Sequence, residues 1–217
     1  MSQKGEAGAL TPLVILGAEV HAAEMAEIVE RANEAKPTWN LLGFLSPSDE
    51  QVGRTVNGYP VLGSAERIAE HPQAAFVPSF GFPQGLMPPL DRVVSLVDPS
   101  AFVSRTATIG RGCVIYPHCF IGLNARVGDF VFALSGCVIN HDGVLGDGVT
   151  LASRAALAGE VTVEPDCYLG QGCLVREKLR VGRGSLIGMG AVVVEDVLPN
   201  SVMAGNPARR LRDRTRT

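Results

Sequence analysis

What this 217-residue chain lacks excludes several classes of protein. There is no basic excess: 19 Lys and Arg stand against 22 Asp and Glu, for a net charge of −3, so the electrostatic footprint of a nucleic-acid binder is missing. No apolar run approaches the about 20 residues that span a bilayer, so no membrane partner is expected. The opening MSQKGEAGAL has no signal-peptide core. Together these absences point to a soluble, cytoplasmic protein. Histidines number only 4, and the 5 cysteines include no CxxC pair. An odd cysteine count without that pair argues against a disulfide framework or a cysteine-held metal.

What is present is a period. Every sixth residue from Val97 to Val193 is aliphatic, running through Val103, Ile109, Ile115, Ile121, Val127, Ala133, Ile139, Leu145, Leu151, Leu157, Val163, Leu169, Val175, Val181 and Ile187 without a slip. A repeat held this long marks a solenoid. Helices repeat their apolar face every three to four residues and strands every two. A period of six fits a triangular prism, with one short strand on each side and 18 residues per coil. Coils stack at the strand spacing of about 4.8 Å, and residues 96–198 make about six of them. The residue after the aliphatic one is often glycine (110, 122, 128, 146, 170, 182, 188), which reads as a corner using glycine's wider dihedral range. The position two before it is mostly small. Cys113, Cys119, Cys137, Cys167 and Cys173 all fall there and read as packed small hydrophobes. This pattern resembles the hexapeptide-repeat acyltransferases, a resemblance that implies a left-handed parallel β-helix.

Residues 1–95 read differently. Strands are expected over 13–16, 39–45 and 74–78, with a short strand or turn at 61–62 and helices over 22–35 and 64–70. Strand alternating with helix implies a small parallel α/β domain, Rossmann-like in type. Residues 199–217 read as a C-terminal tail. The first strand runs into Gly17-Ala18-Glu19-Val20-His21. A strand–Gly–helix turn can hold a phosphate on its first-turn N–H groups, or it can be a plain structural turn. With Gly17 alone in the turn, a dinucleotide fingerprint is absent.

Two histidines lie in the coils, His118 and His141, both at outward positions where solvated side chains are common. His141 stands in Asn140-His141-Asp142, where three polar residues replace the usual aliphatic–glycine start of a hexad. One coil beyond His141 is Gly159. It is either a corner glycine or a place where a backbone N–H can approach a ligand.

The stretches VILGAEVHAAEMAEIVE and LLGFLSPSDEQVGRTVNGYPVLGSAERI resemble the N-terminal domain of the sugar N-acetyltransferases of the sialic-acid and bacillosamine type. The resemblance implies that Gly17, Ala18, Glu19 and His21 hold the pyrophosphate of a nucleotide-linked sugar, with Ser46 near the base or ribose. Where that family often carries Asp, this chain has Ser46, Pro47 and Ser48, which suits another base such as guanine. The implied substrate is a nucleotide-linked amino-deoxysugar of the GDP-perosamine kind, in lipopolysaccharide or other glycan biosynthesis. In the same family a His followed by Asp or Glu carries the general base. By that match His141 is the base, Asp142 orients it, and Asn140 is a minor partner. The Gly159 N–H would lie near the thioester. Gly188 and Gly190 would let a pantetheine arm pass close to the backbone. Asn206 and Pro207, in the exit sequence Gly205-Asn206-Pro207-Ala208, would lie near the adenine end of coenzyme A. Arg209 or Arg210 would meet its 3′-phosphate, while Arg212, Arg214 and Arg216 read as a solvated tail. Acetyl-CoA is the implied co-substrate, no metal is implied, and the implied assembly is a homotrimer with each active site between neighbouring prisms.

The chemistry matches these residue types. An amine attacking a thioester loses a proton as the tetrahedral intermediate forms. Imidazole, with a reference pKa of about 6.5, is largely neutral at about pH 7 to 8. A general base contributes about 10²- to 10⁴-fold, and one oxyanion donor about 10² to 10³. The expected activity is acetyl-CoA-dependent N-acetylation. The alternatives are O-acetylation of a sugar hydroxyl, a metal-dependent hydratase of the carbonic anhydrase type, and a non-enzymatic solenoid.

Overall fold

The computed structural model describes residues 9 to 214. Most of the opening segment, through residue 8, and Arg216 lie outside the described residues. The chain divides into two units, Met1–Arg92 and Val93–Thr217.

The first unit begins with β1 (Thr11–Leu16), in which Leu13, Val14, Ile15 and Leu16 are all fully buried. Successive strand residues point to opposite faces, so a run buried throughout needs cover on both. Helix α1 (Val20–Ala35) buries Ala22, Met25, Ala26, Ile28 and Val29, an apolar stripe at helical spacing. It stops where Lys36, extended, precedes Pro37, because proline disfavours helix in the residue before it. β2 (Trp39–Ser46), β3 (Thr55–Val56), β4 (Tyr59–Ser64) and β5 (Ala75–Pro78) complete a sheet of order β3-β4-β2-β1-β5. β4, β2, β1 and β5 are parallel, while β3 is antiparallel to β4. The helix expected over 64–70 is a 3-10 turn, Ala65–Glu70, because β4 extends through Ser64. The hairpin of β3 and β4 turns on Asn57 and Gly58, both with positive φ, an Asn-Gly turn that the short strand expected at 61–62 does not include. The parallel strands end on one edge, where Gly17, Ser46, Ser64 and Ser79 lie at or just past the strand ends. Here β1 has β2 on one side and β5 on the other. Open α/β sheets hold ligands at such a reversal of strand order.

The second unit is the solenoid. Two-residue strands recur every six residues and build three sides. One stacks six strands from Phe102–Val103 to Val192–Val193, and a second stacks five from Thr108–Ile109 to Arg180–Val181. The third, of eight strands, starts at Leu96–Val97. Between the two-residue strands the register is one coil, as in Ile121↔Ile139 and Ile139↔Leu157. The hexad aliphatics from Ile115 to Val193 are buried, with Val97, Val103 and Ile109 packed against them. Each buried Val, Ile or Leu contributes about 1.5–3 kcal/mol, and the period repeats that contribution on every side of every coil. All five cysteines are buried and free, as packing residues should be.

Two expectations need correction. The column glycines do not use glycine's dihedrals. The positive-φ positions are others, such as Gly112 and Gly136, and even Asn124 and Asp142. The column glycines instead let coils approach: a Cβ on Gly122 would fall 2.8 Å from the His141 nitrogen, and one on Gly182 2.4 Å from that of Pro199. The C-terminal segment is also not a loose tail. Ser201–Ala204 adds to the third side parallel to Leu186–Ile187, and Arg209–Asp213 folds back antiparallel to it.

Candidate active site

The strand Val138–Ile139 runs into a corner at residues 140–143. The Asn140 backbone N–H and its side-chain Nδ2 both donate to the Leu157 carbonyl, at 3.2 and 2.9 Å, tying the corner to the next coil. Asp142 has φ 57° and its N–H donates to the Leu123 carbonyl at 2.8 Å. Aspartate is one of the few non-glycine residues that adopt this left-handed conformation readily. With the backbone so turned, Asp142 Oδ2 accepts from His141 Nδ1 at 2.9 Å. An ionised carboxylate can only accept, so the proton sits on Nδ1 and the neutral ring keeps its lone pair on Nε2.

A residue absent from the expected set completes this arrangement. Asn124, one coil before Asp142, donates through Nδ2 to Asp142 Oδ1 at 3.1 Å. The 18-residue spacing between the two was the available signal. The Asp142 carboxyl is held below the usual carboxylate range, first by the His141 hydrogen bond, then by that of Asn124, and further by the charges of His141 and Arg126. Both side chains are about half open, 58% for His141 and 48% for Asp142.

The imidazole lies against Gly159, where a Cβ would fall 2.4 Å from Nε2 and 2.5 Å from Cε1. The Gly159 φ is outside the left-handed region, so the ring, not the dihedral, demands glycine. The Glu160 N–H donates to the His141 carbonyl at 2.9 Å, fixing the two coils to each other. Among the described residues no acceptor meets the Gly159 N–H. At two corners of the second side an aspartate caps the same hexad position: Asp129 Oδ1 accepts the Arg111 N–H at 2.7 Å and Asp147 Oδ1 the Asp129 N–H at 2.8 Å.

The other expected acyl-side residues divide into two groups. Arg209 and Arg210 lie near Glu195, a residue outside the expected set that stands in the column of His141 and Gly159, two coils past Gly159 and about 14 Å from His141 along the prism at the strand spacing. It lines a pocket of about 230 Å³ with Val194, Asp196, Arg209 and Arg210. Arg209 Nη1 donates to the Ala208 carbonyl at 3.0 Å. Asn206 and Pro207, joined by a cis peptide, are exposed in the link just before Arg209. Gly188 and Gly190 lie on a different corner, between the third and first sides, and the chain does not bring them to His141. The Gly188 N–H donates to the Met203 carbonyl at 2.7 Å, and the space beside Gly190 is open. His118 is exposed with φ 62°, and its N–H donates to Ser100 Oγ at 3.1 Å.

The first unit gathers its own set. Gly17 has φ 116°, and its N–H donates to the Leu45 carbonyl at 2.8 Å. Ala18 is buried. Glu19 precedes α1, yet its carboxylate accepts from Gln51 Nε2 at 2.8 Å instead of capping the helix. His21, in the first turn, pairs through Nδ1 with Glu24 at 3.2 Å and sets its ring edge-on to Phe80 at 5.6 Å. Ser46 is buried at the end of β2, and its Oγ accepts the Ser48 N–H at 3.3 Å. Among the described residues no three His, Cys, Asp or Glu side chains gather as metal ligands, and no helix is long and apolar enough to cross a membrane.

No family model matches the chain. GDP-perosamine N-acetyltransferase of Escherichia coli O157:H7 is 34% identical over 124 residues, 55% of this chain and 56% of that protein. The chain spans about half the length of the curated relatives it matches. Among solved structures, GDP-perosamine N-acetyltransferase from Caulobacter crescentus, a variant with one histidine replaced by alanine and bound to CoA and GDP-perosamine, superposes with a TM-score of 0.81. It is 25% identical, covering 94% of this chain and 99% of that one. The acetyltransferase domain of PglB from Neisseria gonorrhoeae, bound to acetyl coenzyme A, gives a TM-score of 0.80 at 26% identity, over 94% of this chain and all (100%) of that one. In repeat and fold, the chain is similar to the hexapeptide-repeat-like β-solenoid acetyltransferases.

Proposed function

We propose that this protein is an acetyl-CoA-dependent N-acetyltransferase acting on the amino group of a nucleotide-linked amino-deoxysugar, with GDP-perosamine the nearest known substrate type. One observation carries the reading: His141 holds its Nδ1 proton on Asp142 and presents Nε2 over a glycine whose N–H has no acceptor among the described residues. The substrate amine attacks the thioester carbonyl and its proton passes to Nε2. The imidazolium is stabilised by the Asp142 carboxylate, the Gly159 N–H donates to the developing oxyanion, and the C–S bond breaks as the Nε2 proton passes to the leaving sulfur, releasing coenzyme A and restoring the neutral ring. No acyl-enzyme forms. Arg209 and Arg210, at the pocket that continues the His141 column, suit the phosphates of coenzyme A. Gly17, Ala18, Glu19, His21 and Ser46 hold the nucleotide sugar on the sheet edge of the first unit.

The working form in this reading is a homotrimer of left-handed prisms, each of about six coils. Supporting it is the outward surface of the first side, which is apolar. Phe102 and Phe120 stack with centroids 5.0 Å apart, Phe102 is 57% exposed, and Val138, Ala156 and Leu174 follow in register. Contiguous apolar surface of this kind marks association.

Incubation of the purified protein with acetyl-CoA and GDP-perosamine tests the reading. It predicts free coenzyme A and N-acetylated nucleotide sugar in equal amounts. Acetylation of a hydroxyl sugar with the amine untouched would move the activity to O-acetyl transfer.

A further inference from the structure

Ser79, the first residue past β5, has no role in the account above. It is only 7% exposed, and among the described residues no hydrogen-bond partner meets its Oγ. The oxygen itself is not sealed from solvent, since the buried side-chain polar atom without a partner among the described residues is His71 Nε2, so the Ser79 hydroxyl is open to a ligand. Its position is well fixed: the Ser79 N–H donates to the Leu16 carbonyl at 2.8 Å, and the Ser79 carbonyl accepts the Phe82 N–H at 3.2 Å. The hydroxyl lies directly over Gly17, where a Cβ would come within 2.0 Å of Oγ. Gly17 is therefore bare for two reasons, its φ of 116° and the room that Ser79 takes.

A second set of open donors faces the same turn. The first-turn amides of α1 have no side-chain cap among the described residues, because the Glu19 carboxylate is drawn to Gln51, and the first turn carries no acidic residue. Uncapped amides at the start of a 16-residue helix favour an anion. A hydroxyl beside them acts as one more donor to that anion. Next in sequence, Phe80 is 44% exposed and its ring meets His21, so an apolar wall adjoins the donors. Donors beside an apolar ring match a phosphate joined to a ring system.

We propose that Ser79 is a phosphate ligand, its hydroxyl donating to a nucleoside diphosphate seated on the first turn of α1. The proposal rests on the nucleotide-sugar reading of the first unit. The test is calorimetric titration of the full chain, wild type and Ser79→Ala, with GDP, UDP, dTDP and coenzyme A. The expected result is about tenfold weaker binding of the preferred nucleotide by Ser79→Ala, the scale of a hydrogen bond to a charged group, with coenzyme A affinity unchanged. Equal nucleotide affinity in the two proteins, or a parallel loss of coenzyme A affinity, would overturn the role of Ser79 alone. A wild-type protein that binds coenzyme A but none of the three nucleotides would overturn the nucleotide-sugar reading, and the proposal with it.

Discussion

The imidazole of His141 occupies the space that a side chain on Gly159 would need, one coil away, with Nε2 2.4 Å from where a Cβ would fall. The glycine thus shapes the base as well as offering its N–H. Gly159→Ala should push the ring off its position without disturbing the prism, because the ring is exposed and the Gly159 backbone is one that alanine adopts. Misplacing a reacting group by about 1 Å costs on the order of 100-fold. Turnover should fall about 10- to 100-fold, with the melting temperature nearly unchanged. Steady-state kinetics beside a thermal melt checks both.

Asn124 acts through Asp142 and is a positioning residue. Asn124→Ala removes the hydrogen bond to Asp142 Oδ1 and should lower kcat by about tenfold, leaving KM for both substrates close to wild type. Asn124→Asp should cost more, because it sets a second carboxylate against Asp142. A purely structural role for Asn124 would lower the melting temperature and leave kcat per folded protein alone.

The depressed Asp142 carboxyl has a pH signature. A carboxyl whose folded pKa is lowered adds stability above its unfolded value of about 3.9. That stability is lost as pH falls through the folded value. The melting-temperature gap between wild type and Asp142→Asn should close as pH falls below about 4. The gap should be small, because both side chains are about half open to solvent.

The buried thiols titrate in the opposite direction. Burial pushes Cys113 and Cys167 up to about 11 and Cys173 to about 12. An acid with a raised folded pKa adds stability below its unfolded value, about 8.5 for cysteine, and loses it as pH rises toward the folded value. The melting temperature should therefore fall between about pH 8.5 and 11. A thiol reagent at about pH 8 should label none of the three until the protein unfolds, which mass spectrometry reads directly.

Much of this was legible because the solenoid is built from local rules. Ile139, Leu157 and Val175 sit one above another because each follows its own hexad, so counting by six places them. Asn140-His141-Asp142 was legible as a polar break in an apolar beat. Asn124 was not, because its role depends on a side chain reaching across one coil, although the 18-residue spacing pointed to it. The column glycines were visible but given the wrong cause: the constraint is the backbone of the neighbouring coil, which a single hexad does not contain. The strand Arg209–Asp213 is hidden within what reads as a C-terminal tail because all of its side chains but Leu211 are charged, and edge strands tolerate charge that inner strands do not. Ser79 carries no signal in sequence, because its meaning comes from lying over Gly17.

The most direct test of the account is the turnover of His141→Ala with acetyl-CoA and GDP-perosamine, read beside its melting temperature and coenzyme A affinity. The account predicts a loss of about 10²- to 10⁴-fold in kcat, with melting temperature and coenzyme A affinity close to wild type. Turnover within a few-fold of wild type would contradict it.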